Sequence, residues 1–99
     1  MNSQFDWTLV RSFLACLDHG SLLGAARATL VSQPTVGRHI AELEAQLGVV
    51  LFERTGRGLL PTDMAQRLAQ AARAMESGAH QLVRSVSDQK SGVSGRVSI

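Results

Sequence analysis

The sequence predicts a mainly α fold that carries one small β hairpin. Three observations point there. Apolar residues recur at three- and four-residue spacing in four separate stretches, which is helical periodicity. Gly20, Gly48 and Pro34 stand where short helices stop and start. A polar segment with two glycines, Glu53 to Gly58, separates two brief apolar runs that can pair as strands.

The elements follow in order. From Trp7 to Leu17, the residues Leu9, Val10, Phe13, Leu14 and Leu17 share one face of an amphipathic helix. His19 and Gly20 end it, because glycine is the usual residue just past a helix C-terminus. After Ser21, the positions Leu22, Ala25, Ala26 and Leu30 form a second, shorter stripe whose small residues let another helix approach closely. A third helix is capped by Ser32, started by Pro34 in its first turn and closed by Gly48. Val36, Ile40, Leu43 and Leu47 face its core, while Gln33, Thr35, Arg38, His39 and Glu42 occupy the opposite face. Val49 to Phe52 reads as a strand, Leu59 and Leu60 as its return, and Pro61 as the stop. Thr62 and Asp63 then cap a long helix with apolar residues at Met64, Leu68, Ala71, Ala72, Met75, Ala79, Leu82, Val83 and Val86. About 24 residues at roughly 1.5 Å each give a rod near 36 Å, longer than three small helices can cover. A stripe that outruns its own domain needs a partner, and a second copy of the helix is the simplest one. Its register breaks near Gly78. Ser87 to Gly95 has no apolar periodicity and reads as a linker, and Arg96 to Ile99 alternates like the start of a strand. The expected organisation is a unit of three helices and a hairpin at 1–61, a linker and dimerisation helix at 62–87, and a flexible linker at 88–99 leading into a domain that is missing.

Composition sets limits on function. Ninety-nine residues with 44% apolar and 18% charged content are enough for one compact domain, or a small domain with a projecting element, and argue against wholesale disorder. The single cysteine, Cys16, can form no internal disulfide and no cysteine-rich metal cage, so a reducing compartment, the cytoplasm, is expected. The longest unbroken apolar runs, Phe13 to Leu17 and Val49 to Phe52, fall far short of the roughly 18 residues a spanning helix needs. Asp6 is the first charge, which fits no secretory signal. Net charge is only +2, yet every cation except Lys90 is an arginine, the residue suited to bidentate phosphate and base contacts. Residues 1–47 set Arg11, Arg27 and Arg38 against four carboxylates, and Arg54 and Arg57 face only Glu53 in residues 48–62. No block is strongly basic, so any DNA binding must rest on a few placed groups rather than a diffuse field.

Helix, helix, turn, capped helix and two-stranded hairpin is the order of a winged helix-turn-helix, in which the third helix enters the major groove. Ala25-Ala-Arg-Ala-Thr-Leu-Val-Ser-Gln-Pro-Thr-Val36, followed by Ile40, Leu43-Glu44, Leu47-Gly48, Leu51-Phe52-Glu-Arg54 and Arg57-Gly58, resembles the N-terminal domain of LysR-type transcriptional regulators. The likeness runs from about Phe5 to Val86. It implies a bacterial regulator in which this domain binds double-stranded promoter DNA and the long helix pairs with its copy in a homodimer. It also implies a missing C-terminal domain that binds a small-molecule effector, and a tetramer as the common full-length state. Three positions depart from the family pattern. Leu23 stands where Ser or Thr is usual, so the second helix loses its ordinary cap unless Ser21 replaces it. Gly37 replaces a common Ser and removes one candidate contact. Pro61-Thr62-Asp63-Met64-Ala65 keeps only the threonine of the usual wing exit.

Gln33, at the start of the third helix, can pair with adenine through two hydrogen bonds. Pro34 and Thr35 can supply apolar contact to a thymine methyl, although helix initiation alone accounts for Pro34. Arg38, about one turn on, suits guanine or phosphate. His39 either touches phosphate or only occupies the helix surface. Arg57, between two glycines at the hairpin tip, can enter the narrow minor groove, whereas Arg54 either joins it or anchors the wing to the body. Ser32 and Thr62 cap helices and can also donate to phosphates. No cofactor or metal site is expected: Cys16 and His19 are half a metal site without a second half, and Gly56-Arg-Gly58 lacks the rest of a phosphate loop. The competing classes are a helical interaction module that dimerises without DNA, and a small enzyme, for which no catalytic constellation is present.

Overall fold

A computed structural model describes residues 6–97, with side-chain surroundings through residue 88. Four helices and one hairpin follow in order: α1 (Trp7–His19), α2 (Leu22–Thr29), α3 (Gln33–Leu47), β1 (Phe52–Thr55), β2 (Gly58–Pro61) and α4 (Asp63–Val97). Each short helix is bounded by the chemistry its sequence supplies. The Asp6 carboxylate accepts from the Thr8 N–H to start α1, and Gly20 ends it in the left-handed region at φ 69°. Ser21 does cap α2, accepting from Gly24 N–H at 3.0 Å, so the leucine at position 23 leaves no uncapped end. Ser32 caps α3 and Gly48 closes it.

Leu9, Val10, Phe13 and Leu14 from α1, Ala25 and Ala26 from α2, and Val36, Ile40 and Leu43 from α3 converge in one core. Leu51, Phe52, Ala65 and Ala72 close it from the hairpin side. The Phe13 and Phe52 rings meet at 5.8 Å and 59°, a tilted pairing that aromatic quadrupoles favour. Two residues expected in apolar faces lie elsewhere. Leu30 is 91% exposed and holds φ 62°, because it closes α2 as a left-handed cap instead of continuing its stripe. Leu47 is half exposed at the end of α3, where the core gives out.

The strand expected at Val49 to Phe52 begins only at Phe52. The preceding N–H group of Leu51 is spent on the Glu44 carboxylate at 2.7 Å, and Leu51 C=O accepts from Thr62 N–H, so residues 49–51 tie α3 to the hairpin instead of running within it. β1 and β2 are antiparallel, pairing Phe52 with Pro61 and Thr55 with Gly58 around Gly56 and Arg57. Gly58 cannot be replaced freely. Its φ is 129°, and a Cβ there would stand 2.4 Å from the carbonyl oxygen of Gly20, to which the next residue, Leu59, donates its N–H at 2.9 Å. The wing is thereby stitched to the α1–α2 corner.

Thr62 starts α4 by accepting from Ala65 N–H. The helix then runs 35 residues, through the stretch 88–97 that the sequence marks as a linker. No proline interrupts it, and a glycine such as Gly92 or Gly95 costs about 1 kcal/mol relative to alanine, which weakens a propagating helix without ending it. Ser98 and Ile99, half of the expected strand start, lie outside the described residues. Among the described residues no helix is long and apolar enough to cross a membrane.

Candidate nucleic-acid interface

The polar face of α3 and the hairpin form one surface. Gln33, Pro34 and Arg38 are all exposed on the first two turns of α3. Thr35 is half-buried, its N–H donating to Ser32 Oγ at 3.3 Å while the Ser32 hydroxyl donates to Thr35 Oγ1 at 2.9 Å. This pair fixes the entry of the helix and occupies the hydroxyl proton of Ser32. Arg57 is exposed at the hairpin tip, where its own N–H is held by Thr55 Oγ1 at 3.2 Å. An open concavity lined by Leu22, Gln33, Pro34, Gly37 and Arg54 joins α3 to the root of the hairpin. A second, sharing Leu22, Gln33 and Arg54, continues to Thr55, Gly58 and Leu59. Arg54 thus lies between helix and wing, against the first turns of α3.

Two candidate residues spend their polar atoms inside the protein. His39 Nδ1 lies 2.7 Å from the hydroxyl of Ser12, a buried residue of α1, so only its Nε2 is left for an outside partner. The bond satisfies a hydroxyl that would otherwise be costly to bury. Thr62 donates its hydroxyl proton to Val50 C=O at 2.7 Å while capping α4, and its role in this structure is to pin the helix to the end of the strand connection. Of the cations, Arg73 is paired with Asp18 at 2.7 Å, whereas Arg38, Arg54 and Arg57 have no carboxylate partner among the described residues.

Sequence reasoning assigned no role to Glu44 or Ser12. Glu44 had a signal available: a carboxylate in the last turn of a helix opposes the macrodipole, which points to a tertiary donor that offsets the cost. Here the donors are the Leu51 and Phe52 N–H groups, at 2.7 and 3.4 Å. Ser12 had none, since its partner is 27 residues away.

The residues intended for the long-helix interface divide. Ala72 is buried in the core of its own domain and Leu68 packs against it, because the first three turns of α4 close the bundle. Met64, Met75, Leu82, Val83 and Val86 are exposed, the last three at 53–69%. Ala71 is exposed as well, and Ala79 half-buried.

The family model described as bacterial regulatory helix-turn-helix protein, lysR family, matches residues 7–66. The chain is 38% identical to the HTH-type transcriptional regulator GbpR of Azospirillum brasilense over 87 residues, covering 88% of this chain and 25% of that protein. It is 36% identical to the nitrogen assimilation regulatory protein nac of Escherichia coli K12 over 90 residues, 91% of this chain and 30% of that protein. The chain therefore spans between a quarter and a third of the length of these relatives. Among solved structures, the CbnR DNA-binding domain in complex with DNA superposes with a TM-score of 0.74 at 33% identity, covering 85% of this chain and 98% of that one. The BenM DNA-binding domain on its benA site 1 DNA gives a TM-score of 0.77 at 28% identity over the same shares. Both relatives are named as regulators and not as enzymes. With the helix-turn-helix and its wing now placed, these matches make the chain a member of the LysR family of bacterial regulatory helix-turn-helix proteins.

Proposed function

We propose that this domain binds double-stranded DNA sequence-specifically, with α3 in the major groove and the hairpin beside it. One observation carries the reading: Gln33, Arg38, Arg54 and Arg57 lie exposed on α3 and the adjoining wing, and none of the three arginines has a carboxylate partner among the described residues. Exposed arginines without a carboxylate partner break no ion pair on meeting a phosphate, and each phosphate they neutralise releases a counterion from the DNA. Gln33 and Arg38 are the base-reading candidates, with Pro34 and Thr35 supplying apolar contact. Arg57 is the minor-groove candidate and His39 Nε2 the phosphate candidate, while Ser32, whose hydroxyl proton goes to Thr35 Oγ1, and Thr62 act mainly as helix caps. The DNA complexes of the similar CbnR and BenM domains support the reading.

Useful affinity follows from a homodimer formed through α4, which places two recognition helices on successive half-sites. The whole regulator is then a cytoplasmic dimer or tetramer whose remaining part binds a small-molecule effector. The family membership supports this, and the exposed distal stripe of α4 is what a second copy would cover.

Selection of duplexes from a random pool by the 99-residue chain tests the proposal. A defined consensus with two spaced half-sites is expected, and Arg38→Ala and Arg57→Ala should each weaken binding several-fold, about 1–3 kcal/mol for a lost bidentate base contact. Recovery of no consensus, together with affinity that is indifferent to salt, would favour a helical interaction module instead.

A further inference from the structure

Arg54 belongs to β1, but its guanidinium lies back along α3. A Cβ built on Gly37 would stand 3.5 Å from Arg54 Nη2 and 3.8 Å from Leu22 Cδ1. The same concavity, about 340 Å³ in volume, is bordered by Gln33 and Pro34. Among the described residues no carboxylate holds the guanidinium there. With no ion pair among the described residues to fix it, Arg54 lies in space that a side chain at residue 37 would share. A single methyl would fit at ordinary van der Waals distance, whereas a longer side chain at 37 would extend into the concavity beside the guanidinium and compete with it for space there.

We propose that Gly37 is a positioning residue for DNA binding: it opens a slot on α3 in which Arg54 lies, so that this cation reaches a duplex phosphate alongside Gln33. The proposal rests on the DNA-binding reading given above. Gly37 itself touches no DNA in it. The planar guanidinium lies along the helix, and among the described residues no acceptor takes its N–H groups, so it is suited to a bidentate phosphate contact. The size of residue 37 then governs a contact made by a side chain 17 positions away.

The test is a double-mutant cycle in the full chain, read by fluorescence anisotropy on the duplex that wild type selects, across a salt series. Gly37→Ala should bind within twofold of wild type, since the slot survives. Gly37→Leu should lose at least fivefold and flatten the slope of log affinity against log salt by about one phosphate contact. Both replace glycine with a better helix former, so the melting temperature should not fall. If Gly37→Leu does melt lower, the unbranched Gly37→Gln serves as the slot-filling variant. On an Arg54→Ala background the slot-filling variant should cost less than twofold. An equal loss on both backgrounds would mean that the residue 37 side chain meets DNA directly, and would overturn the proposal, as would a slot-filling variant that binds like wild type. A wild-type chain that binds no duplex at any salt overturns the DNA reading itself and the slot with it, an outcome distinct from an additive cycle on a chain that binds.

Discussion

Leu30 holds a left-handed backbone conformation that costs a residue with a Cβ about 1 kcal/mol or more, and its side chain, 91% exposed, recovers almost nothing by packing. Leu30→Gly should therefore stabilise the domain by about 1 kcal/mol, seen as a rise of roughly 4–8 °C in a thermal melt. An unchanged or lower melting temperature would mean that the leucine makes a contact worth the strain. Cys16 shows the opposite economy. It is buried at 1% exposure, and burial pushes its thiol up from 9.0 to about 11, against a smaller downward pull from Arg54. Because the folded value is raised, the unfolded chain loses its proton first as pH climbs. The stabilising effect of the neutral buried thiol is thus complete below about pH 9 and lost between pH 9 and 11. Urea titrations at pH 8 and pH 10.5 should show wild type losing more stability over that interval than Cys16→Ala does, and equal losses would refute the assignment. The same burial predicts that a thiol reagent labels the native protein only as fast as it unfolds.

The elements are joined by a few hydrogen bonds that no single element explains. Glu44 links the end of α3 to the start of β1 through two backbone N–H groups, and the Gly20 carbonyl, which would clash with any Cβ at Gly58, holds the return strand at Leu59. Glu44→Ala leaves the Leu51 donor without its acceptor in a partly buried setting and should cost about 1–3 kcal/mol in chemical denaturation. Glu44→Gln, which retains an acceptor oxygen, should cost less than that. Equal losses for the two would assign the effect to charge and not to the hydrogen bond. Wing orientation depends on both tethers, so the alanine variant should also bind DNA less tightly than its stability alone accounts for.

At the scale of the molecule, the long axis of 59 Å comes from α4, which leaves the bundle after its first turns. Near the bundle it is held by Ala65, Leu68 and Ala72, and by the Arg73–Asp18 pair, whose two side chains are about half exposed. A pair so solvated contributes under about 1 kcal/mol, so apolar packing sets the angle of the helix. An apolar groove of about 130 Å³ between Val10, Phe13, Leu47, Leu68 and Met75 runs beside that contact. With Leu82, Val83 and Val86 farther along, it forms the surface a second copy would cover. If α4 pairs with a second copy as proposed, wild type should scatter light as a dimer at micromolar concentration, and Leu82→Glu combined with Val86→Glu should scatter as a monomer, with helicity retained by circular dichroism. A dimer that persists would place the interface elsewhere.

How much of this was legible follows from how local each interaction is. The order of elements, the glycine and serine caps, the core faces of α1 and α3 and the exposed Gln33, Arg38 and Arg57 depend on residues within a few positions of one another, and periodicity and capping express them directly. The sequence by itself also determined the family, because one register-locked string spans all these elements. Tertiary structure decided the rest. Leu30 left its stripe because the turn into α3 needed a left-handed residue, and His39 turned to Ser12 across 27 positions. The strand began late because Glu44 claimed the N–H groups before it, α4 split its apolar residues between its own core and open solvent, and Arg54 settled into the space beside Gly37. Each of these depends on which atoms meet after the helices pack, and hydrogen bonding and excluded volume between residues distant in the chain leave no periodic trace along it.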